Sequence, residues 1–295
     1  MSEPYDLIVR GGTVVAPEGI GPADVAVRGS RIAAIGSFPG TGAREILDAR
    51  GLHVLPGVID PHVHFREPGG EHKEEIETGS RAAVLGGVTA IFEMPNTNPP
   101  TTTPDALGDK LSRAAERAWC DHAFFLGATV ENVDSLGEWE RSPGCCGVKV
   151  FAGSSTGTLL LEKESDLRRL FARVRRRVAI HSEDEERLRE RRPLAGSDPA
   201  NHPVWRDPET AARATARILR LAREANRSVH FPHVSTAEEV PLLAEARPLA
   251  TMEVTPQHLL LEAPDCYRRL GTRAQMNPPI REARHRRELW RAVVE

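Results

Sequence analysis

Four short stretches of this sequence end apolar runs with side chains that bind metals or move protons. Asp60-Pro61-His62-Val63-His64 spaces two histidines at i and i+2, so in an extended segment both leave the same face and can converge on one ion. Ala179-Ile180-His181-Ser182-Glu183 and Val229-His230-Phe231-Pro232-His233 each finish an apolar run with imidazole. A single strand-end histidine is usually a hydrogen-bonded core residue, but several brought to one rim suit zinc and similar borderline metals. Gly147-Val148-Lys149-Val150-Phe151 carries a lysine inside an apolar run. Two readings of Lys149 stand at this level. Its stem packs in the interior with the ammonium paired to a carboxylate, because an unpaired buried ion costs several kcal/mol. Alternatively the neutral amine takes up CO₂, and the resulting carbamate bridges two metals, which requires a desolvated lysine of lowered pKa.

The elements that would hold these groups are legible from their texture. Up to about residue 54, short β-type runs are broken by glycine: Leu7–Val9, Thr13–Val15, Asp24–Val27, Arg31–Ile35 and Glu45–Asp48. They predict a small antiparallel, β-sandwich-like domain over residues 1–54. From residue 55 to 295 seven apolar runs (VLPGVID, VTAIFEM, HAFFLGATV, GVKVF, VAIHSE, VHFPHVS, LATMEV) alternate with helical patterns at Glu74–Leu85, Asp105–Arg117, Leu167–Arg176 and Glu209–Ala225. Continuous apolar strands separated by helices predict an α/β fold with parallel strands covered on both faces. Seven in about 240 residues point to a TIM-type (β/α)8 barrel, lacking its last strand here, rather than a doubly wound sheet. Active sites of such barrels sit at the C-terminal strand ends, where the histidines and Lys149 fall.

Composition narrows the function class. There are 39 Lys+Arg against 42 Asp+Glu, a formal charge of −3, so no basic field favours nucleic acid or an acidic membrane surface. No run of about 18 apolar residues and no signal-peptide core occurs, which predicts a cytoplasmic protein. The four cysteines (120, 145, 146 and 266) have no CxxC spacing, so reduced thiols are expected rather than a disulfide framework or thiolate zinc site. Only four lysines occur, Lys73, Lys110, Lys149 and Lys163, which makes any lysine in an apolar setting worth a question.

Taken in order, DPHVHFREPG, EMPNTNPPT, GVKVFAGSSTG, HSEDE, HVSTAEE, EVTPQHL and MNPPIR resemble the dihydroorotases of the amidohydrolase superfamily, from Asp60 to Arg281. The resemblance implies a barrel of the metal-dependent hydrolase kind and two zinc ions per subunit. His62 and His64 would bind one, His181 and His233 the other, and Lys149, N6-carboxylated, would bridge them. It implies substrate contacts from Arg66, Asn96 and Asn277. Arg66, two residues beyond His64, can reach the same mouth and form a forked pair with a carboxylate. Asp60 and Glu183 are expected to orient histidines from behind, with helix capping as the alternative for Glu183. The implied activity is reversible hydrolysis of L-dihydroorotate to N-carbamoyl-L-aspartate by metal-bound hydroxide, in pyrimidine biosynthesis. Related hydantoinases and allantoinases act on neighbouring cyclic amides, and their first motif lacks arginine at the position of Arg66.

The pattern departs from the resemblance in three places. Gln257 stands where histidine is usual and Gln275 where lysine is common. More important, the resemblance calls for an aspartate after an eighth strand as proton shuttle, in a DHAPH-like segment, and these residues hold none; Glu282 and Glu288 lie in helical texture and are not promoted. No general acid/base is therefore assigned. The expectation is that the native chain continues past Glu295. The alternative is a non-catalytic homologue serving in assembly, with a carbamoyltransferase or a second copy of itself as partner.

Overall fold

The computed structural model describes residues 5–155 and 159–295, which fall into two compact units, 1–58 and 59–295. In the first, β1 (Tyr5–Ala16), β2 (Gly19–Arg28), β3 (Arg31–Gly36) and β4 (Ala43–Asp48) form one sheet in the order β3-β2-β1-β4, and β5 (His53–Val54) also pairs with β1. The β1-β2 and β2-β3 pairs are antiparallel, but β4 and β5 run parallel to β1, so the sheet is mixed and the purely antiparallel expectation is corrected. The chain leaves edge strand β3 and crosses to the far side of β1, a connection that strand periodicity cannot reveal. Leu7–Val9 and Thr13–Val15 are also one strand rather than two. Its register shifts between Val9 and Gly12, where Gly11 adopts φ 75°, the left-handed conformation a bulge of this kind needs.

The second unit runs β6 (Val58–Val63), α1 (Ile76–Leu85), β7 (Val88–Glu93), α2 (Pro104–Ala114), β8 (Asp121–Gly127), α3 (Leu136–Trp139), β9 (Cys145–Phe151), α4 (Glu164–Arg173), β10 (Val178–His181), α5 (Glu185–Arg191), α6 (His202–Trp205), α7 (Pro208–Ala225), β11 (Val229–Phe231), α8 (Glu239–Ala244), β12 (Ala250–Met252), α9 (Pro256–Leu260), α10 (Asp265–Leu270) and α11 (Ala283–Val294). Its seven strands lie side by side in sequence order, β6 through β12, and the pairs from β7 to β12 are parallel. A doubly wound sheet would reverse its strand order at a switch point, and this one does not. Buried residues of β8, β9, β10 and β11 meet those of α4 and α7 in one cluster that includes Val148, Val150, Ile180, Leu170, Phe171 and Ile218.

Helix ends follow local chemistry. Thr103 caps α2 and Asp207 caps α7, each followed by proline at the first helical position, and Asn226 closes α7 in the left-handed conformation. The pattern expected to run to Arg176 stops at Arg173, because Val174 turns extended and is buried on the way into β10. All four cysteines are free; Cys145 and Cys266 are buried, Cys120 and Cys146 half-buried. Among the described residues no helix is long and apolar enough to cross a membrane.

One packing contact bears directly on the site. Phe65, between His64 and Arg66, is buried against Gly79 of α1, where an added Cβ would stand 2.5 Å from the ring. Gly79→Ala should therefore cost about 1–2 kcal/mol, overpacking outweighing the helix-propensity gain of up to about 1 kcal/mol. Urea unfolding measures it, and an unchanged midpoint would mean that Phe65 has room to shift.

Candidate active site

The strand ends bring the expected histidines together. His62 in β6 and His64 just past its end have their Nε2 atoms 3.1 Å apart, and β10 with the turn after β11 brings His181 Nδ1 within 3.1 Å of His233 Nε2. The His62 and His233 rings join the pairs, centroid to centroid at 5.1 Å. Two nitrogens bound to one zinc at ~2.0–2.1 Å and a tetrahedral angle stand about 3.3 Å apart, so each pair has the spacing of two ligands on one ion. His233 reaches this position at φ 46° and Arg66 at φ 66°. Both are strained conformations for side-chain-bearing residues, costing of order 1–3 kcal/mol and typical of functional sites. Among the described residues no group of three His, Cys, Asp or Glu side chains makes a ready ion site. Each histidine pair needs a further donor.

Lys149 stands in the same strand-end layer. It is fully buried, its Nζ makes no hydrogen bond, and the amine lies 5.2 Å from the Phe151 ring centroid. Burial drives its pKa down from 10.5 to about 7, with Glu253 opposing. Lys110 shows the contrast. It is equally buried, but its ammonium is ion-paired with Glu93 and donates to the Met94 carbonyl at 3.1 Å. The paired-ammonium reading thus describes Lys110, and Lys149 is the buried amine without such a partner.

The histidines are held neutral. Burial lowers His62 to about 4 and lowers His181, in each case against a neighbouring carboxylate (Glu253 and Glu183), and takes His64 and His233 well below the usual imidazole range, with neighbouring charges adding to the effect there. Carboxylates behind them select the tautomers. His62 Nδ1 donates to Glu253 at 2.7 Å, leaving Nε2 toward His64, and His181 Nε2 donates to Glu183 at 2.8 Å, leaving Nδ1 toward His233. Burial alone would raise Glu183, but Arg206 and His181 outweigh it and hold the carboxyl at about 2. Glu253 likewise sits at about 2 against its burial, because it also accepts from His230 Nε2 at 3.0 Å.

Of the residues expected to orient histidines, Glu183 contacts a ring, and Asp184 rather than Glu183 caps α5. Asp60 accepts the backbone N–H of His62 at 3.0 Å, and the His62 ring goes to Glu253 instead. Glu253, not among the expected site residues, stands in EVTPQHL one residue past β12, and its ring partner His62 lies 191 residues away in sequence. His202 is not among them either, since α6 is four residues long and has no periodicity to read.

A cavity of about 910 Å³ opens over these groups and includes His62, His64, His233 and Glu253 in its wall. Arg66, Asn96 and Asn277 line it as well, together with Gln257 and Gln275. Arg66 Nη1 is buried and makes no hydrogen bond, and burial lowers the guanidinium pKa while Glu93 opposes. Asn96 lies against His64. His258, which follows Gln257, is buried and bonds the Pro278 carbonyl at 3.2 Å, tying the Asn277 loop to α9.

Comparison with known proteins agrees with this architecture. A family profile described as "Dihydro-orotase-like" matches residues 51–136. An allantoinase of Rubrobacter xylanophilus is 39% identical over 303 residues, covering 98% of this chain and 66% of that protein. A dihydroorotase of Halobacterium salinarum is 37% identical over 280 residues, covering 92% and 63%. Among solved structures, an L-hydantoinase (dihydropyrimidinase) from Arthrobacter aurescens superposes with TM-score 0.88 at 29% identity over 97% of this chain and 66% of that one. The chain thus spans about two thirds of the length of these relatives. By sequence and by fold it is allantoinase-, hydantoinase- and dihydroorotase-like, and belongs with the cyclic amidohydrolases of the amidohydrolase family.

Proposed function

We propose that this protein hydrolyses a cyclic amide bearing a carboxylate, L-dihydroorotate, reversibly to N-carbamoyl-L-aspartate. The observation that carries the choice is Arg66: a guanidinium with a buried, unbonded Nη1 on the cavity wall. Such a group gains most from a forked pair with a carboxylate. Allantoin and unsubstituted hydantoin offer no carboxylate. The second reading, an allantoinase or hydantoinase, is favoured by the names of several of the most similar relatives.

The donor set fits two zinc ions, with His62 and His64 holding one, His181 and His233 the other. Lys149 supports a bridging role because a neutral amine can add to CO₂, forming the N–C bond of a carbamate and releasing one proton. When bound, the metals would activate water and polarise the ring carbonyl. The chain's own residues do the rest. Glu253 and Glu183 keep His62 and His181 in the tautomers that turn Nε2 toward His64 and Nδ1 toward His233, Arg66 anchors the carboxylate, and Asn96 and Asn277 bound the ring.

Kinetics on the three substrates test this reading. Wild-type protein should show the largest kcat/KM on L-dihydroorotate, and preference for allantoin or hydantoin would replace it with the second reading. Arg66→Ala should raise KM for dihydroorotate at least tenfold, about 1.4 kcal/mol or more, with bound zinc unchanged. Lys149→Ala should lose zinc and turnover together and regain part of both in bicarbonate with short-chain acids; full zinc content would remove Lys149 from the site.

Lys149 also sets a pH dependence in the metal-free protein. Its pKa is about 7 folded against 10.5 in an unperturbed chain, so between those values the unfolded state holds the proton and the folded state does not. Stability therefore rises with pH across that window. Lys149→Met removes the slope and should be more stable than wild type by about 3 kcal/mol at pH 8, the gap closing as pH approaches 10.5. Parallel urea titrations of the two proteins across the window would mean the amine is charged in the fold.

A further inference from the structure

The wall of the cavity facing Asn277 contains a group not yet accounted for. His202 of α6 projects into the cavity, and its Nε2 stands 2.9 Å from the Met276 carbonyl oxygen and 3.1 Å from Asn277 Oδ1. A carbonyl oxygen only accepts, so Nε2 must carry the proton. A protonated Nε2 cannot accept from an amide NH₂, so the Asn277 atom beside it must be the oxygen. The orientation of the Asn277 amide, which bond lengths alone would leave open, thus follows from a backbone group. With Oδ1 engaged by His202, the two N–H donors of Asn277 remain for the cavity that this residue lines.

His202 itself has little freedom. Its ring meets Trp205 edge-on at 6.1 Å, and Trp205 donates Nε1–H to the Leu188 carbonyl at 2.8 Å. The Trp205 ring lies between the guanidinium groups of Arg192 and Arg206, each 4.6 Å from its centroid. Arg206 is in turn anchored on Glu183 and on the Ser154 carbonyl at 2.6 Å. The imidazole is therefore presented by a stacked support, as a group with a positional task should be.

We propose that His202 is a positioning residue that locks the Asn277 amide with its NH₂ toward the cavity, so that this wall takes an acceptor atom of the substrate, a carboxylate or carbonyl oxygen. The proposal rests on the reading of this cavity as the substrate site. It adds the Asn277 amide to Arg66 as a donor in the cavity lining, and so favours a ring that bears more than one acceptor group.

The test is a double-mutant cycle on whichever of dihydroorotate, allantoin and hydantoin the wild-type protein consumes. His202→Ala should raise KM about tenfold with kcat within twofold and bound zinc unchanged, and His202→Gln, which keeps a side-chain N–H donor, should recover most of the loss. Asn277→Ala should raise KM comparably, and adding His202→Ala to it should bring no further change, because the two act as one unit. Additive losses, or an unchanged KM in His202→Ala, would overturn the proposal. A second measurement needs no turnover. Long-range 1H–15N spectra of histidine-labelled protein at pH 8 should show His202, assigned by its disappearance in His202→Gln, protonated at Nε2. An Nδ1–H tautomer sinks the proposal whatever the substrate. If none of the three substrates is consumed while His202 shows the Nε2–H tautomer, the reading of the activity fails and the amide lock stands.

Discussion

The site depends on a lysine amine buried with neither counter-ion nor hydrogen bond. Lys149 Nζ has no bonded partner, and four imidazoles stand around the same strand ends. Such a layer is tolerable only if most of its members are uncharged, since like charges in a dry interior repel strongly. Burial enforces this by depressing the lysine and all four histidines together. What results is a set of neutral ring nitrogens turned toward one another, which a borderline metal can use as donors and which a packed apolar core would not keep.

Neutral imidazoles have two tautomers, and only one of each directs a lone pair into the layer. The two buried carboxylates settle this from behind, Glu253 for His62 and Glu183 for His181. Glu183 is also the start of a longer support. It pairs with Arg206, whose guanidinium stacks on Trp205, whose ring meets His202, which bonds Asn277. Arg281, from the segment just after Asn277, closes the circuit by donating to the Arg206 carbonyl at 2.7 Å and to Ser235 at 3.0 Å. The histidine layer and the far wall of the cavity are thus fixed by one connected set of polar contacts, so a change at Arg206 would disturb both.

How much of this could be read from the sequence divides along the range of the interactions. The His62/His64 spacing, the apolar runs and the strand-end placement of Lys149, His181 and His233 are local signals, and the seven strands follow from them. The parallel return of β4 onto β1 is not local: it depends on which edge the chain reaches after β3, and alternation reads the same either way. The role of Glu253 is not local either: nothing near it in the sequence announces a partner 191 residues away at His62. His202 lies in a stretch between β10 and α7 made of short helical turns, and its task appears only when Met276 and Asn277 come alongside from 74 and 75 residues further on.

Overall similarity and substrate choice weigh different residues. Identity of 39% to one named allantoinase and 37% to one named dihydroorotase is averaged over strands and helices that any member of the family must keep. Substrate discrimination rests on the handful of side chains on the cavity wall, where leaving a buried donor without its acceptor costs about 1–3 kcal/mol, more for a charged group. Ten or a hundredfold preference between cyclic amides can therefore turn on one arginine while the global identity barely changes. In the reading proposed above that arginine is Arg66, held at a strained φ beside His64 with Nη1 unmatched. An allantoinase would have to carry both the strain and the unmatched donor with no carboxylate to satisfy it. A carboxylate-bearing substrate would match that donor in the bound state, which is the physical ground of the proposed reading.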